Sequence, residues 1–270
     1  MKIDFIICGV MKSGTTTLAN DLLLHPNIAI PEWEVRFFID EAKFEKGYNW
    51  YEAEVDKYAS PITLMRGEKS QYSYRPYITH RLFDYNPALK LIFILRNPID
   101  RAWSNYTHDL WNMDEWRSFE RCLKEEENRP LMFQYLSKGR YIEQIENYLE
   151  FFPLEQMHFI LFEDFIKNWE SNLRSLFNFL NVPEEVYDFS QRTHAKRSRH
   201  PKYPPMLLHL AKNTMGKKSR LTNFLWKVNF ENSTQKRMKE RTKLDLHQFY
   251  KPYNQRLVDL LKIDLGIWEP

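Results

Sequence analysis

The sequence predicts a three-layer α/β fold, with a central parallel β-sheet flanked by helices and a helical C-terminal extension. Three observations carry this reading. Apolar runs that do not alternate (Phe5-Ile6-Ile7, residues 89–95 and residues 157–162) read as strands buried on both faces. Segments of helical period separate them, and strand–helix alternation favours parallel pairing through crossover helices. The first strand also runs straight into a glycine-framed turn and a helix start, Gly9-Val10-Met11-Lys12-Ser13-Gly14-Thr15-Thr16-Thr17.

The elements follow in order. Over 15–24, Leu18, Leu22 and Leu23 keep a helical spacing that His25-Pro26 ends. Residues 28–30 form a short strand, followed by the loop Pro31-Glu32-Trp33-Glu34-Val35-Arg36-Phe37-Phe38. Acidic, aromatic sequence continues to about Tyr58, and 62–65 reads as a strand that ends in Glu68-Lys69-Ser70. Residues 76–85 are a helix with proline at its start and Asn86-Pro87 as its break. Residues 89–95 are the clearest strand; Arg96-Asn97-Pro98 ends it, and a helix runs from Ile99 to about Trp111. The stretch 111–137 is charged, aromatic and helical in part, after which Tyr141, Ile145, Tyr148 and Leu149 restore a helical period up to Pro153. A strand over 157–162 and an amphipathic helix over 168–180 complete the core. A basic, irregular run over 193–205 precedes helices at 205–213 and 235–249 and a last one ending near Leu265. No repeat or low-complexity linker interrupts the chain. It reads as one domain over 1–270, an α/β core at 1–190 and a basic helical part at 191–270.

Composition narrows the function. The 270 residues are 43% apolar and 16% aromatic, enough for a sizeable core, with a net charge of +3. Cys8 and Cys122 lie far apart, with neither a disulfide framework nor a zinc spacing, so a reducing compartment is the default. The first strand starts within a few residues of Met1, leaving no room for a signal peptide, and no run approaches the ~20 apolar residues of a membrane span. The expectation is a soluble, cytoplasmic protein without a transmembrane segment. Charge is uneven: between Arg192 and Lys243 fifteen Lys/Arg face two acids, Glu231 and Glu240. A basic third suits nucleic acid, an anionic membrane surface or an acidic substrate, and equally a solvated helix face.

Gly9 and Gly14 have the G-x-x-x-x-G spacing of a nucleotide P-loop, but Thr15-Thr16 stand where that motif needs Lys then Ser/Thr. The lysine sits inside the loop, at Lys12. N–H groups at the helix start make an anion cradle of Lys12, Ser13, Gly14, Thr15, Thr16 and Thr17. A lysine in the turn can touch the bridging oxygen of a transferable group, where charge develops as the bond breaks, and this needs no metal-holding pair. The competing reading is a plain turn and helix cap with Lys12 in solvent. Lys12, Glu34, Lys69 and Arg96 all follow predicted strand ends, and ligands of parallel α/β sheets bind outside the carboxyl ends of the strands. Arg96, by its forked guanidinium, and Ser104, by its hydroxyl in the second turn of the next helix, can reach one phosphate; the competing readings are a strand-end ion pair and an ordinary helix serine. Arg101 on the same helix is expected to point outward. Glu34 can accept a proton if burial raises its pKa. Glu32 is its rival, and His108 and His158 are other candidate bases, His158 being expected as a satisfied strand residue.

Taken in order, several motifs add up. They are Gly9-Val10-Met11-Lys12-Ser13-Gly14-Thr15-Thr16, the Glu34 loop ending in Phe37-Phe38, Glu68-Lys69-Ser70, Leu95-Arg96-Asn97-Pro98 with Ser104, and Asn147-Tyr148-Leu149-Glu150-Phe151-Phe152-Pro153. With them the chain resembles the sulfotransferases that use 3′-phosphoadenylyl sulfate (PAPS), most closely the heparan-sulfate and related glycan O-sulfotransferases, from Ile3 to about Asn181. The resemblance implies a P-loop-type fold and in-line transfer of a sulfuryl group from PAPS to a hydroxyl, leaving adenosine 3′,5′-bisphosphate, without a metal. It also implies that residues 12–17 wrap the 5′-phosphosulfate, with Lys12 stabilising the leaving phosphate. Arg96 and Ser104 then bind the 3′-phosphate, Glu34 is the general base, and Lys69 lies near the sulfuryl group and the acceptor. The implied partner is a glycan or small-molecule hydroxyl acceptor, with no stable nucleic-acid partner.

Three departures accompany the resemblance. Arg36 stands where relatives often have His. Animal glycan sulfotransferases carry a C-terminal disulfide and a membrane anchor that find no counterpart here. Their lysine-glycine-arginine loop, which touches cofactor phosphate, has its nearest equivalent in Ala195-Lys196-Arg197-Ser198-Arg199-His200-Pro201, with Lys196 and Arg199 as candidates. Two other classes stay in view: a metal-dependent P-loop kinase, against which the missing lysine after Gly14 counts, and a non-catalytic polyanion- or nucleic-acid-binding module built on the basic third.

Overall fold

A computed structural model of the chain describes residues 1–191, 206–217, 219–230 and 237–269. Its strands are β1 (Phe5–Gly9), β2 (Ile28–Ala29), β3 (Met65–Lys69), β4 (Lys90–Leu95) and β5 (Met157–Leu161). They form one sheet in the order β2-β3-β1-β4-β5, parallel at every pairing. The longer helices are α1 (Thr15–Leu23), α2 (Gly47–Asp56), α3 (Pro76–Tyr85), α4 (Pro98–Trp111), α5 (Tyr141–Leu149), α6 (Trp169–Leu180), α7 (Met206–Met215), α8 (Arg220–Phe230) and α9 (Glu240–Leu261). The described residues gather into two compact units, one of residues 1–97, 141–191 and 256–269, the other of 98–140 and 206–255.

The first unit holds the sheet. Its register pairs Phe5 with Gly67 and Lys90, and Ile7 with Lys69 and Ile92. The Phe5 ring lies on Gly67, where a Cβ would come 2.2 Å from it, so only glycine admits the ring. Side chains alternate between faces along each strand, as the pleat requires. Ile7, Ile92, Ile94 and Ile160 pack under α1 and α6 against Leu18, Leu22, Leu173 and Phe177. On the other face Phe93 meets Tyr148 of α5 edge-on, ring centroids 5.1 Å apart. These buried strands match the non-alternating runs, and α3 begins and ends where proline and Asn86-Pro87 place it.

Two corrections concern this unit and the chain beyond it. Strand β3 runs over Met65–Lys69 and not over 62–65; Ile62 and Leu64 are 58% and 55% exposed. The ladder starts late because Asn27 O accepts the N–H groups of Leu64 and Met65, and pairing with β2 begins only at Met65. Toward the C-terminus α9 continues through Pro252 as one helix, where two were expected, and α8 was not expected at all.

The second unit has its own core. Ile99, Tyr106 and Leu110 of α4 pack with Phe119, Cys122, Tyr135, Leu246 and Tyr250, and a smaller cluster joins Met113, Leu208 and Phe230. Arg101, expected to point outward, is completely buried here. Its guanidinium donates to Asn105 Oδ1 at 3.4 Å and to the carbonyl of Tyr135, which is how a charged side chain is kept inside. Cys8 and Cys122 are both free thiols and both buried.

Candidate active site

The chain leaves β1 for β2 and β3 on one side, then crosses to β4 on the other. The carboxyl end of β1 is therefore the switch point of the sheet, where parallel α/β folds open a crevice. The turn that fills this position lies between Lys69, the last residue of β3, and Arg96, the first after β4. Three backbone features shape it. Gly9 has φ 145°, and a Cβ there would come 2.8 Å from Ser73 Oγ. Lys12 adopts φ 69°, a left-handed conformation that costs a lysine energy and persists only where its surroundings hold it. Arg96 is one such hold: Nη1 donates to Lys12 O at 2.9 Å, and the guanidinium lies over the Phe162 ring, 4.8 Å from its centroid. Gly14 has φ 85°, and a Cβ would come 3.0 Å from Phe162 Cε2, so glycine is required both by conformation and by space.

What this turn offers is a cradle for an anion. Helix α1 starts without a side-chain cap and without an acid in its first turn, so nothing negative competes for its N–H groups. Ser13 is fully buried and its Oγ has no hydrogen-bond partner. A buried hydroxyl left so costs about 1–3 kcal/mol, a cost that a ligand oxygen would remove. Thr15 is buried and Thr16 exposed; Lys12 and Thr17 are half-buried.

Glu34 and Lys69 adjoin the cradle. Lys69 is buried and its Nζ donates to Thr16 Oγ1 at 3.5 Å, which ties the end of β3 to the start of α1. Burial pushes the Lys69 ammonium below its ordinary pKa, and the negative charge of Glu34 pulls it back up. Glu34, half-buried, accepts from Gln71 Nε2 at 3.2 Å. Beneath both lies Glu68, fully buried, its carboxylate accepting from Tyr72 Oη at 2.7 Å, Ser70 Oγ at 2.8 Å and Tyr51 Oη at 3.0 Å. Burial raises its pKa, the three hydroxyls lower it, and the charge of Glu34 raises it further. Ser70 Oγ also accepts the N–H of Arg36 at 3.0 Å, and Tyr72 Oη accepts that of Phe38 at 3.4 Å. The loop carrying Glu34 is thus pinned to β3 through Glu68.

Of the residues singled out from the sequence, Lys12, Ser13, Gly14, Thr15, Thr16, Thr17, Glu34, Lys69 and Arg96 come together at this edge of the sheet unit. Ser104 lies on α4 in the second unit, half-buried, its carbonyl accepting from Thr107 Oγ1 at 3.0 Å. Lys196 and Arg199 fall outside the described residues. Glu32 and Arg36 are exposed, Arg36 at φ 58°. His158 is the second residue of β5, far along the strand from its carboxyl end, and stacks on Phe179 at 5.0 Å. Burial pushes its imidazole down to about 4, so it stays neutral at physiological pH. His108 pairs with Asn112, just past the end of α4, at 2.9 Å. Among the described residues no three His, Cys, Asp or Glu side chains gather to hold a metal ion. Glu68, Ser70, Gln71, Tyr51 and Tyr72 were given no role from the sequence. The signal available was charge inside a strand, because Glu68 and Lys69 are buried side by side in β3.

Comparison with known proteins shows the family and the fold. A family model described as a sulfotransferase domain matches residues 2–251. Mouse heparan sulfate glucosamine 3-O-sulfotransferase 5 is 29% identical over 200 residues, covering 71% of this chain; the chain spans 57% of that relative's length. The crystal structure of a sulfotransferase from Alicyclobacillus acidocaldarius superposes with a TM-score of 0.74 at 26% identity, covering 99% of each chain. Mouse sulfotransferase SULT7A1, solved in complex with PAP, shares the fold with a TM-score of 0.52 at 14% identity, covering 94% of this chain and 84% of its own.

Proposed function

The chain belongs to the sulfotransferase domain family, and we propose that it moves a sulfuryl group from PAPS to a hydroxyl of a carbohydrate or related acceptor. The donor supplies an activated sulfur–oxygen bond to a phosphate. The oxygen of the acceptor attacks sulfur as that bond breaks, the electron pair leaves with the 5′-phosphate, and the hydroxyl proton passes to a base. The products are a sulfate ester and adenosine 3′,5′-bisphosphate.

The chain's own residues divide this work. The turn 12–17 holds the phosphosulfate through the N–H groups of the α1 start and the buried Ser13 hydroxyl. The Lys12 ammonium stabilises charge on the leaving phosphate, the kind of pre-placed donor whose removal costs about 10²–10³-fold. Glu34 takes the acceptor's proton. Lys69, beside Glu34 in charge and beside Thr16 in space, steadies the sulfuryl oxygens. Arg96 braces the loop at Lys12 O and takes the 3′-phosphate; Ser104, Lys196 and Arg199 are the candidates for further phosphate contacts. The relatives' names favour a glycan acceptor, and the family assignment sets aside the kinase reading.

The observation that carries this reading is the buried, partnerless Ser13 hydroxyl inside a glycine-framed turn with Lys12, next to a charge-coupled Glu34 and Lys69. The test is incubation with sulfur-labelled PAPS and a panel of glycans and small alcohols, with products identified by mass spectrometry. Transfer of label to a hydroxyl without added metal is expected. Turnover of ATP with Mg²⁺ and no transfer from PAPS would overturn the reading.

A further inference from the structure

Helices α7 and α8 of the second unit each expose an apolar stripe in addition to the apolar side chains that seat them on the core. On α7, Leu208 and Ala211 are buried, while Met206, Leu207 and Leu210 are 56%, 65% and 58% exposed and share one face by their spacing. On α8, the polar Thr222 and Asn229 are buried, while Leu221, Phe224 and Val228, spaced i, i+3 and i+7, are 46%, 62% and 45% exposed. Leu208 and Phe230 sit in one cluster with Met113, so both helices are seated on the same core and turn their apolar stripes away from it. An exposed apolar surface of this kind, made while polar side chains are buried, marks a docking face.

Charge identifies what it fits. Residues 206–230 include Lys212, Lys217, Lys218, Arg220 and Lys227 and no Asp or Glu. Lys212 pairs with Asp114, while Lys217, Arg220 and Lys227 are exposed. On a helical wheel Arg220 and Lys227 lie at the edge of the Leu221–Phe224–Val228 stripe. An apolar stripe edged by cations is the pattern of a helix lying in the headgroup region of an anionic bilayer. A second copy of this chain would bring like charges face to face, and a soluble polyanion would leave the stripe in water.

We propose that α7 and α8 form a peripheral docking face for an anionic membrane, with Leu207, Leu210, Leu221 and Phe224 entering the acyl boundary and Lys217, Arg220 and Lys227 at the headgroups. The proposal goes beyond sulfuryl transfer and stands on these residues alone. It is tested by sedimentation of the full chain with vesicles of phosphatidylcholine, with and without about one third phosphatidylglycerol. Binding to the anionic vesicles only, weakened by salt, is expected. Phe224→Glu and Leu207→Glu should each weaken it about tenfold, and each of Arg220→Gln and Lys227→Gln about fivefold, with the melting temperature unchanged because all four side chains are exposed. Equal binding to both vesicles, binding to neither, or binding untouched by Phe224→Glu would overturn the proposal. A concentration-dependent dimer abolished by Phe224→Glu would assign the face to a second copy. Binding to heparin or RNA, in the absence of vesicle binding, would assign it to a polyanion.

Discussion

Glu68 and Lys69 are neighbours on one strand and are kept buried in opposite ways. Glu68 is compensated by three hydroxyls; Lys69 has one long contact to Thr16 and the charge of Glu34. Because burial lowers the pKa of Lys69 on folding, the unfolded chain holds that proton more tightly, and this residue's contribution to stability improves as pH rises toward the unfolded value. Lys69→Met therefore raises the melting temperature at neutral pH while cutting transfer by about 10²-fold; a lower melting temperature would show that the charge is a net support. Glu68→Gln acts the other way. It leaves at least one buried hydroxyl without its acceptor, costing about 1–3 kcal/mol, and frees the Glu34 loop. Thermal melts should show the loss, and kinetics should show kcat falling with little change in affinity for adenosine 3′,5′-bisphosphate.

At the scale of elements, the turn between β1 and α1 depends on Gly14 and on Arg96. Gly14→Ala meets both the positive φ and the Phe162 ring, strain of about 1–3 kcal/mol, and calorimetry should find adenosine 3′,5′-bisphosphate bound about tenfold more weakly or worse. Arg96→Ala should weaken it as well, because it removes the brace on Lys12 O along with the proposed contact to the 3′-phosphate; unchanged affinity would remove Arg96 from the site. These elements were legible in sequence where local chemistry decides. Non-alternating apolar residues gave away β1, β4 and β5, and proline with Asn86-Pro87 bounded α3. Elements whose residues are explained only by distant partners were not legible. Strand β3 carries Arg66, Glu68 and Lys69 inside the fold, and Glu68 is tolerable there because Tyr51 of α2 joins the nearby Ser70 and Tyr72 in donating to it. Arg101 is buried because the Tyr135 carbonyl, far away in sequence, receives it. Helix α8 escaped notice because apolar side chains stand on both its buried and its exposed sides, which blurs the expected period: Phe230 is buried while Leu221, Phe224 and Val228 are exposed. Lys12, Glu34, Lys69 and Arg96 could be singled out because they follow strand ends, but the network under Glu34 required the packed structure.

For the molecule as a whole, acid stability reports on His158. Its folded pKa of about 4 lies below the ordinary 6.5, so as pH falls through this range the unfolded chain takes up the proton first and stability is lost. The loss amounts to about 2–3 kcal/mol by pH 4. Melts at pH 7 and pH 4.5 should show His158→Phe losing less than the wild type; equal losses would place the acid sensitivity elsewhere. Transfer near neutral pH should be untouched by this change, because His158 is remote from the carboxyl edge of the sheet. Among the described residues no helix is long and apolar enough to cross a membrane. The central claim is that the carboxyl edge of the sheet binds the donor through the 12–17 turn while Glu34 takes the acceptor's proton. It is tested most directly by single-turnover transfer from labelled PAPS in Glu34→Gln, measured beside its affinity for adenosine 3′,5′-bisphosphate. Transfer reduced by about 10²–10⁴-fold with affinity nearly intact is the predicted result, and undiminished transfer would contradict it.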